Sequence, residues 1–106
     1  MDELSELQAW YASQCDGDWE HGEGIEIHTL DNPGWRVSIG LEDTELEDRV
    51  FVPVEEEYDH ELTWRRCWVE DGRFQGAGGP LQLARMLRIF LDWVAAPPAA
   101  TNAPAS

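Results

Sequence analysis

Gly24-Ile25-Glu26-Ile27-His28-Thr29-Leu30-Asp31-Asn32-Pro33-Gly34-Trp35-Arg36-Val37-Ser38-Ile39 is the stretch that decides the fold. Ile25, Ile27 and Thr29 alternate with Glu26 and His28, a period of two that suits a strand with one buried face. Asn32-Pro33-Gly34 then breaks the run, because Pro presets the first turn angle and Gly accepts a positive one. Beyond the turn Trp35, Val37 and Ile39 alternate with Arg36 and Ser38. This pattern predicts a β-hairpin with His28 facing outward.

Upstream, Leu4, Leu7, Tyr11 and Cys15 recur at helical spacing with Trp10 on the flank, predicting an amphipathic helix over 3–15. Asp2 suits its N-cap, Glu3 and Glu6 suit the positive end of its dipole, and Asp16-Gly17 suits its end. Downstream, Val50-Phe51-Val52-Pro53-Val54 reads as a strand that Pro53 confines to an edge or a strand end. Leu62–Val69 reads as another strand, Asp71-Gly72 as a tight turn, and Arg73–Gln75 as a short strand. Gly76-Ala77-Gly78-Gly79 reads as a flexible joint, with Pro80 at the first position of a last helix over about 80–94. That helix is apolar nearly all round, leaving Gln82, Arg85, Arg88 and Asp92 as a polar stripe, so it should be the core helix. At 15 residues it is too short to cross a bilayer.

The fold class expected is α+β: an antiparallel sheet of four to five strands with the N- and C-terminal helices packed on one face. A single domain over 1–95 is followed by a Pro/Ala-rich segment, 96–106, that cannot bury enough surface to order itself. The 106 residues suffice for one modest core. With 42% apolar residues and six Trp, the charge sits on a folded globule rather than a disordered acidic chain.

That charge is unevenly placed. Residues 1–61 carry nineteen Asp/Glu against two Arg, a balance of −17, whereas residues 62–106 carry three acids against five Arg, a balance of +2. The whole chain is −15 and contains no Lys. Such a field opposes nucleic acid and anionic membranes, whose binding draws on cationic side chains. It favours a basic protein partner. No basic start precedes an apolar run at the N-terminus, so the expected location is the cytoplasm. Cys15 and Cys67 read as reduced, semi-buried thiols.

Catalytic signals are sparse. Asp16-Gly17-Asp18-Trp19-Glu20-His21-Gly22 collects metal-ligand residue types, but not at the spacing of a calcium loop or a helical zinc motif. A plain loop, with carboxylates capping backbone N–H groups and Trp19 packed beneath the sheet, explains it more simply. A small metal-dependent enzyme using Asp16, Asp18, Glu20 and His21 is the alternative reading. No Ser sits in a nucleophile turn, and Cys15 lies at a helix C-terminus, which disfavours a thiolate. No cofactor is expected.

Binding signals are stronger. Trp64, Arg66 and Trp68 share one strand face, and Arg65, Cys67 and Val69 the other; if Cys67 points inward, two Trp and an Arg stand on the open face. The candidate partner contacts are Asp16, Asp18, Trp19, Glu20, Glu42, Asp43, Glu45, Glu55, Glu56, Glu57, Trp64 and Trp68. Repulsion between like acidic surfaces argues for a monomer or a weak dimer.

Several blocks also resemble the immunity protein 53 family of bacterial polymorphic toxin systems. They are Trp10-Tyr11, Gln14 through His21, Gly24-Ile25-Glu26-Ile27, Thr29 through Trp35, and Gly76-Ala77-Gly78-Gly79-Pro80. The similarity covers roughly residues 4–94. The resemblance implies a cytosolic antitoxin, not an enzyme, that binds and neutralises a cognate toxin, and it carries over no site residues.

Overall fold

The computed structural model describes residues 2–31, 33–56 and 62–96. Its elements run α1 (Glu3–Gln14), α2 (Trp19–Gly22), β1 (Ile25–Leu30), β2 (Gly34–Gly40), β3 (Val54–Glu56), β4 (Arg65–Glu70), β5 (Arg73–Gly78) and α3 (Leu83–Ala95). The five strands form one antiparallel sheet in the order β1-β2-β5-β4-β3. Two hairpins, β1–β2 and β4–β5, lie side by side through β2 and β5, and β3 returns to the far edge. The α+β class, the five strands and the two terminal helices agree with the sequence reading. The segment 97–106 and Glu57 lie outside the described residues.

Register sorts the two sheet faces. Ile39 pairs with Ile25 and Phe74, while Val37 pairs with Ile27 and Gly76. Cys67 pairs with Gly76 and Val54. These side chains point toward α3, where Val37, Ile39, Cys67 and Phe74 are fully buried with Met86 and Phe90. Phe74 meets Phe90 at 5.1 Å and Phe51 at 5.4 Å, and Phe90 meets Trp10 of α1 at 5.0 Å. The thiols differ from the reading of two semi-buried groups. Cys15 is exposed, whereas burial pushes the Cys67 thiol up to about 12.

Asp2 caps α1 as expected, its carboxylate accepting from the Ser5 N–H at 2.8 Å. The inward stripe of α1, however, is Leu7 and Trp10; Leu4, Tyr11 and Cys15 stay exposed. The cause is that α1 lies against α3 rather than across β1, so only a narrow strip faces the core. Arg88 fastens the two helices, its Nη2 donating to Glu6 at 2.6 Å and its Nε to Glu3 at 3.3 Å. The guanidinium holds the Glu6 carboxyl below its ordinary value.

Three local expectations are corrected. First, the glycine run is no joint: Gly76 and Gly78 belong to the central strand β5 and are buried. A Cβ would meet the Met86 sulfur at 3.3 Å from Gly76 and at 3.1 Å from Gly78, so α3 presses directly on the strand backbone. Second, α3 begins at Leu83, not Pro80. The Pro80 carbonyl instead accepts from the Trp35 indole at 3.0 Å, and the Gln82 side-chain oxygen accepts from Arg65 at 2.8 Å. Third, residues 50–53 are irregular and the edge strand starts only after Pro53. Val50 and Val52 are exposed, while Phe51 packs on Phe74 and Trp93. The turn at Asp71-Gly72 is as expected, both residues having positive φ.

Arg49 closes the far end of the molecule. Its Nη1 donates to the carbonyls of Trp93 at 2.8 Å and of Val94 and Ala96 at 3.2 Å, satisfying the end of α3 with a cation where the dipole is negative. The Trp93 indole donates back to the Val50 carbonyl at 2.9 Å. These bonds tie the long acidic connection between β2 and β3 to the core helix.

Candidate partner-binding surface

The connection that follows β2 is a chain of tight turns pinned from inside by Leu41 and Leu46, both buried. The Thr44 hydroxyl donates to the Leu41 carbonyl at 2.7 Å and accepts from the Leu46 N–H at 3.1 Å. Glu45 accepts from the Trp10 indole and from the Gln14 amide, each at 3.1 Å, so the loop is also bound to α1. Glu42, Asp43, Glu47 and Asp48 are left exposed on this frame.

Their charges crowd. Glu23 lies against Gly40 at the root of the loop, where a Cβ on Gly40 would strike it. Glu23 and then Asp43 raise the Glu42 carboxyl above its ordinary value. A raised acid binds its proton more tightly folded than unfolded, so stability from this group falls as pH rises through the ordinary carboxylate range. Glu42→Gln is therefore expected to raise Tm at pH 7 in low salt. The gain should shrink in high salt and vanish below the carboxylate range, as read by thermal melts across pH.

Among the described residues, most of the remaining acids of the first 61 are engaged elsewhere. Arg66 pairs with Glu55 at 3.1 Å, and Arg65 donates from Nε to Glu56 at 2.6 Å. Arg73 lies 3.9 Å from Glu23, and Arg88 binds Glu3 and Glu6. Four of the five Arg after residue 61 thus fold back onto carboxylates before it. Glu55 and Glu56, expected among partner contacts, sit in these pairs on the edge strand β3, away from the 42–48 loop.

Asp16 and Glu20 serve the local backbone. Asp16 Oδ1 accepts from the N–H of Asp18 at 2.9 Å and of Trp19 at 3.0 Å. Glu20 accepts from the N–H of Asp16 at 3.0 Å and of Gly17 at 2.9 Å. Those Trp19 and Asp18 amides hold the Asp16 carboxyl below its ordinary value. Trp19, expected among the partner contacts and also read as a packed ring, is 4% exposed, edge-on to Trp10 at 5.7 Å and tilted against Tyr11 at 5.7 Å. Asp18 is exposed. Among the described residues no three His, Cys, Asp or Glu side chains converge as metal ligands.

Across the sheet, Cys67 faces the core, so Trp68 and Arg66 take the opposite face. Trp68 does not stand free there. The Arg66 guanidinium lies 4.3 Å and that of Arg36 5.2 Å from its ring centre, and its indole donates to Glu70 at 2.8 Å. Trp64 precedes β4 rather than lying in it, half-buried, its carbonyl accepting from the Gly79 N–H at 2.9 Å. Of the twelve expected contacts, Glu57 lies outside the described residues, and the other eleven fall in the acidic loop (Glu42, Asp43, Glu45), at the α2 corner (Asp16, Asp18, Trp19, Glu20) and on or beside β3 and β4 (Glu55, Glu56, Trp64, Trp68).

One feature escaped the sequence reading. A groove of about 330 Å³ lies between α1, Glu20 of α2 and the start of β1, lined by Leu4, Leu7, Gln8, Tyr11, Glu20, Gly24 and Ile25. The available signal was the width of the α1 apolar stripe, more than one helix–helix contact can cover.

Fold and surface together define a small acidic α+β protein whose conspicuous features are a charged loop and an open groove. The chain belongs to the immunity protein 53 family, whose model matches residues 4–95. No curated protein and no solved structure matches it. Membership makes this an immunity protein and implies a cognate toxin as its partner. Among the described residues no helix is long and apolar enough to cross a membrane.

Proposed function

We propose that this immunity protein acts in the bacterial cytoplasm, without catalysis, by covering a basic surface or cleft of a polymorphic toxin with the acidic loop at 42–48 and the adjoining Glu23. The observation that carries this is the crowding of Glu42 by Glu23 and Asp43 on a loop anchored by Leu41 and Leu46. Like charges held together on a rigid frame cost stability, and an oppositely charged partner relieves that cost. Anchoring removes the loss of loop entropy on binding.

Toxins that cut nucleic acid need cationic clefts, and a carboxylate surface can occupy such a cleft in place of phosphate. The test is association with the toxin encoded beside this chain, measured over a range of salt. The on-rate should fall steeply with ionic strength. A salt-independent rate would remove the electrostatic reading.

A further inference from the structure

Resting on that toxin-binding reading, we propose that the groove beside β1 receives an extended segment of the toxin, which adds to the sheet edge with side chains alternately apolar and basic. β1 is one of the two edges of the sheet. The other, β3, is three residues long, follows Pro53 and has its two Glu in ion pairs with β4. β1 is six residues long, contains no Pro, and carries Glu26 as its one acidic side chain, with no ion pair to a neighbouring strand among the described residues. Its outer backbone groups are a template for another strand.

The core-side face of β1 is poorly covered, because α1 lies over α3. Ile27 is 36% exposed, and in the groove at the start of β1, beside Ile25, Leu4 is 66% and Tyr11 37% exposed. A strand laid along β1 would place every second side chain over Ile25 and Ile27, the one beside Ile25 reaching the groove lined by Leu4 and Tyr11, and the others beside Glu26 on the outer face. Glu20 in the groove lining and the exposed Glu26 both favour cations. The same charges oppose a second copy of this chain, which would bring two molecules of −15 together edge to edge. The apolar groove would hold the complex, whereas the loop at 42–48 would speed its formation.

The experiment is hydrogen exchange and binding kinetics with the purified toxin encoded beside this chain, using wild type, Leu4→Arg and Ile27→Arg. Both positions are exposed, so both variants should keep the wild-type Tm. The expected result is slowed exchange at the 25–30 amides on binding, and a dissociation constant raised about tenfold or more in each variant, mainly through faster dissociation. Tight wild-type binding with unchanged exchange at 25–30 and wild-type affinity in both variants would overturn the groove and leave the acidic-loop reading standing. No binding by wild type would overturn both. A toxin-free dimer that Ile27→Arg dissociates would assign the edge to a second copy and end this proposal.

Discussion

Truncating Phe74 to alanine should cost about 3–5 kcal/mol, the usual loss for a fully buried aromatic in a core that cannot collapse around the void. Phe74 has no exposed surface and sits in β5 between Ile39 and Val69. Its ring is shared by Phe51, Phe90 and Trp93, at 5.4, 5.1 and 6.5 Å. Those three come from the acidic connection and from α3, so one ring joins the sheet, the helix and the chain that carries the loop. Small domains have only about 5–15 kcal/mol in total, and the variant should be largely unfolded in mild denaturant. Urea unfolding followed by Trp fluorescence checks this. Val50→Ala, at a site 70% exposed, should stay within about 0.5 kcal/mol of wild type. Equal midpoints for the two variants would show that Phe74 is not the keystone the contacts describe.

The residues that were legible in the sequence are those whose local pattern and tertiary role agree. The alternation of Ile25–Thr29 and Trp35–Ile39 around Asn32-Pro33-Gly34 gave the β1–β2 hairpin, and the positive φ of Asp71 and Gly72 matches their turn signature. Where a residue answers to a distant neighbour, local pattern misleads. Gly76 and Gly78 look like a joint, yet Met86 of α3 is what excludes a side chain there. Leu4 and Tyr11 fit the helical stripe, but α1 leans on α3 and leaves them facing the groove. The charge asymmetry was plain in the sequence. Its meaning was not, because Arg65, Arg66, Arg73 and Arg88 cross back to carboxylates before residue 61 and leave the 42–48 loop as the most crowded acidic stretch among the described residues. Trp19 was legible as a packed ring in a run of capping carboxylates, but it lies against Trp10 and Tyr11 of α1 rather than beneath the sheet.

Neutralising that remainder should slow toxin association without loosening the fold. Glu42→Gln with Asp43→Asn removes two charges from the loop while sparing Glu45 and Glu47, which accept internal hydrogen bonds. Asn also tolerates the positive φ of 65° at position 43. Steering by a concentrated field contributes roughly 10–10³ to association rates, so the double variant should lose about tenfold or more in on-rate at low salt. The dissociation rate should change little, as expected for charges at the rim of an interface. At about 1 M salt, where the screening length is about 3 Å, the two on-rates should converge. Asp31→Asn with Asp71→Asn is the matched control, taking the same two charges from two hairpin turns, Asn again tolerating the positive φ of 57° at position 71. If steering depends on where the charge lies, the control will associate nearly as fast as wild type. If both pairs slow association equally, the toxin responds to net charge alone, and the anchoring of the loop by Leu41, Leu46 and Arg49 serves stability rather than recognition.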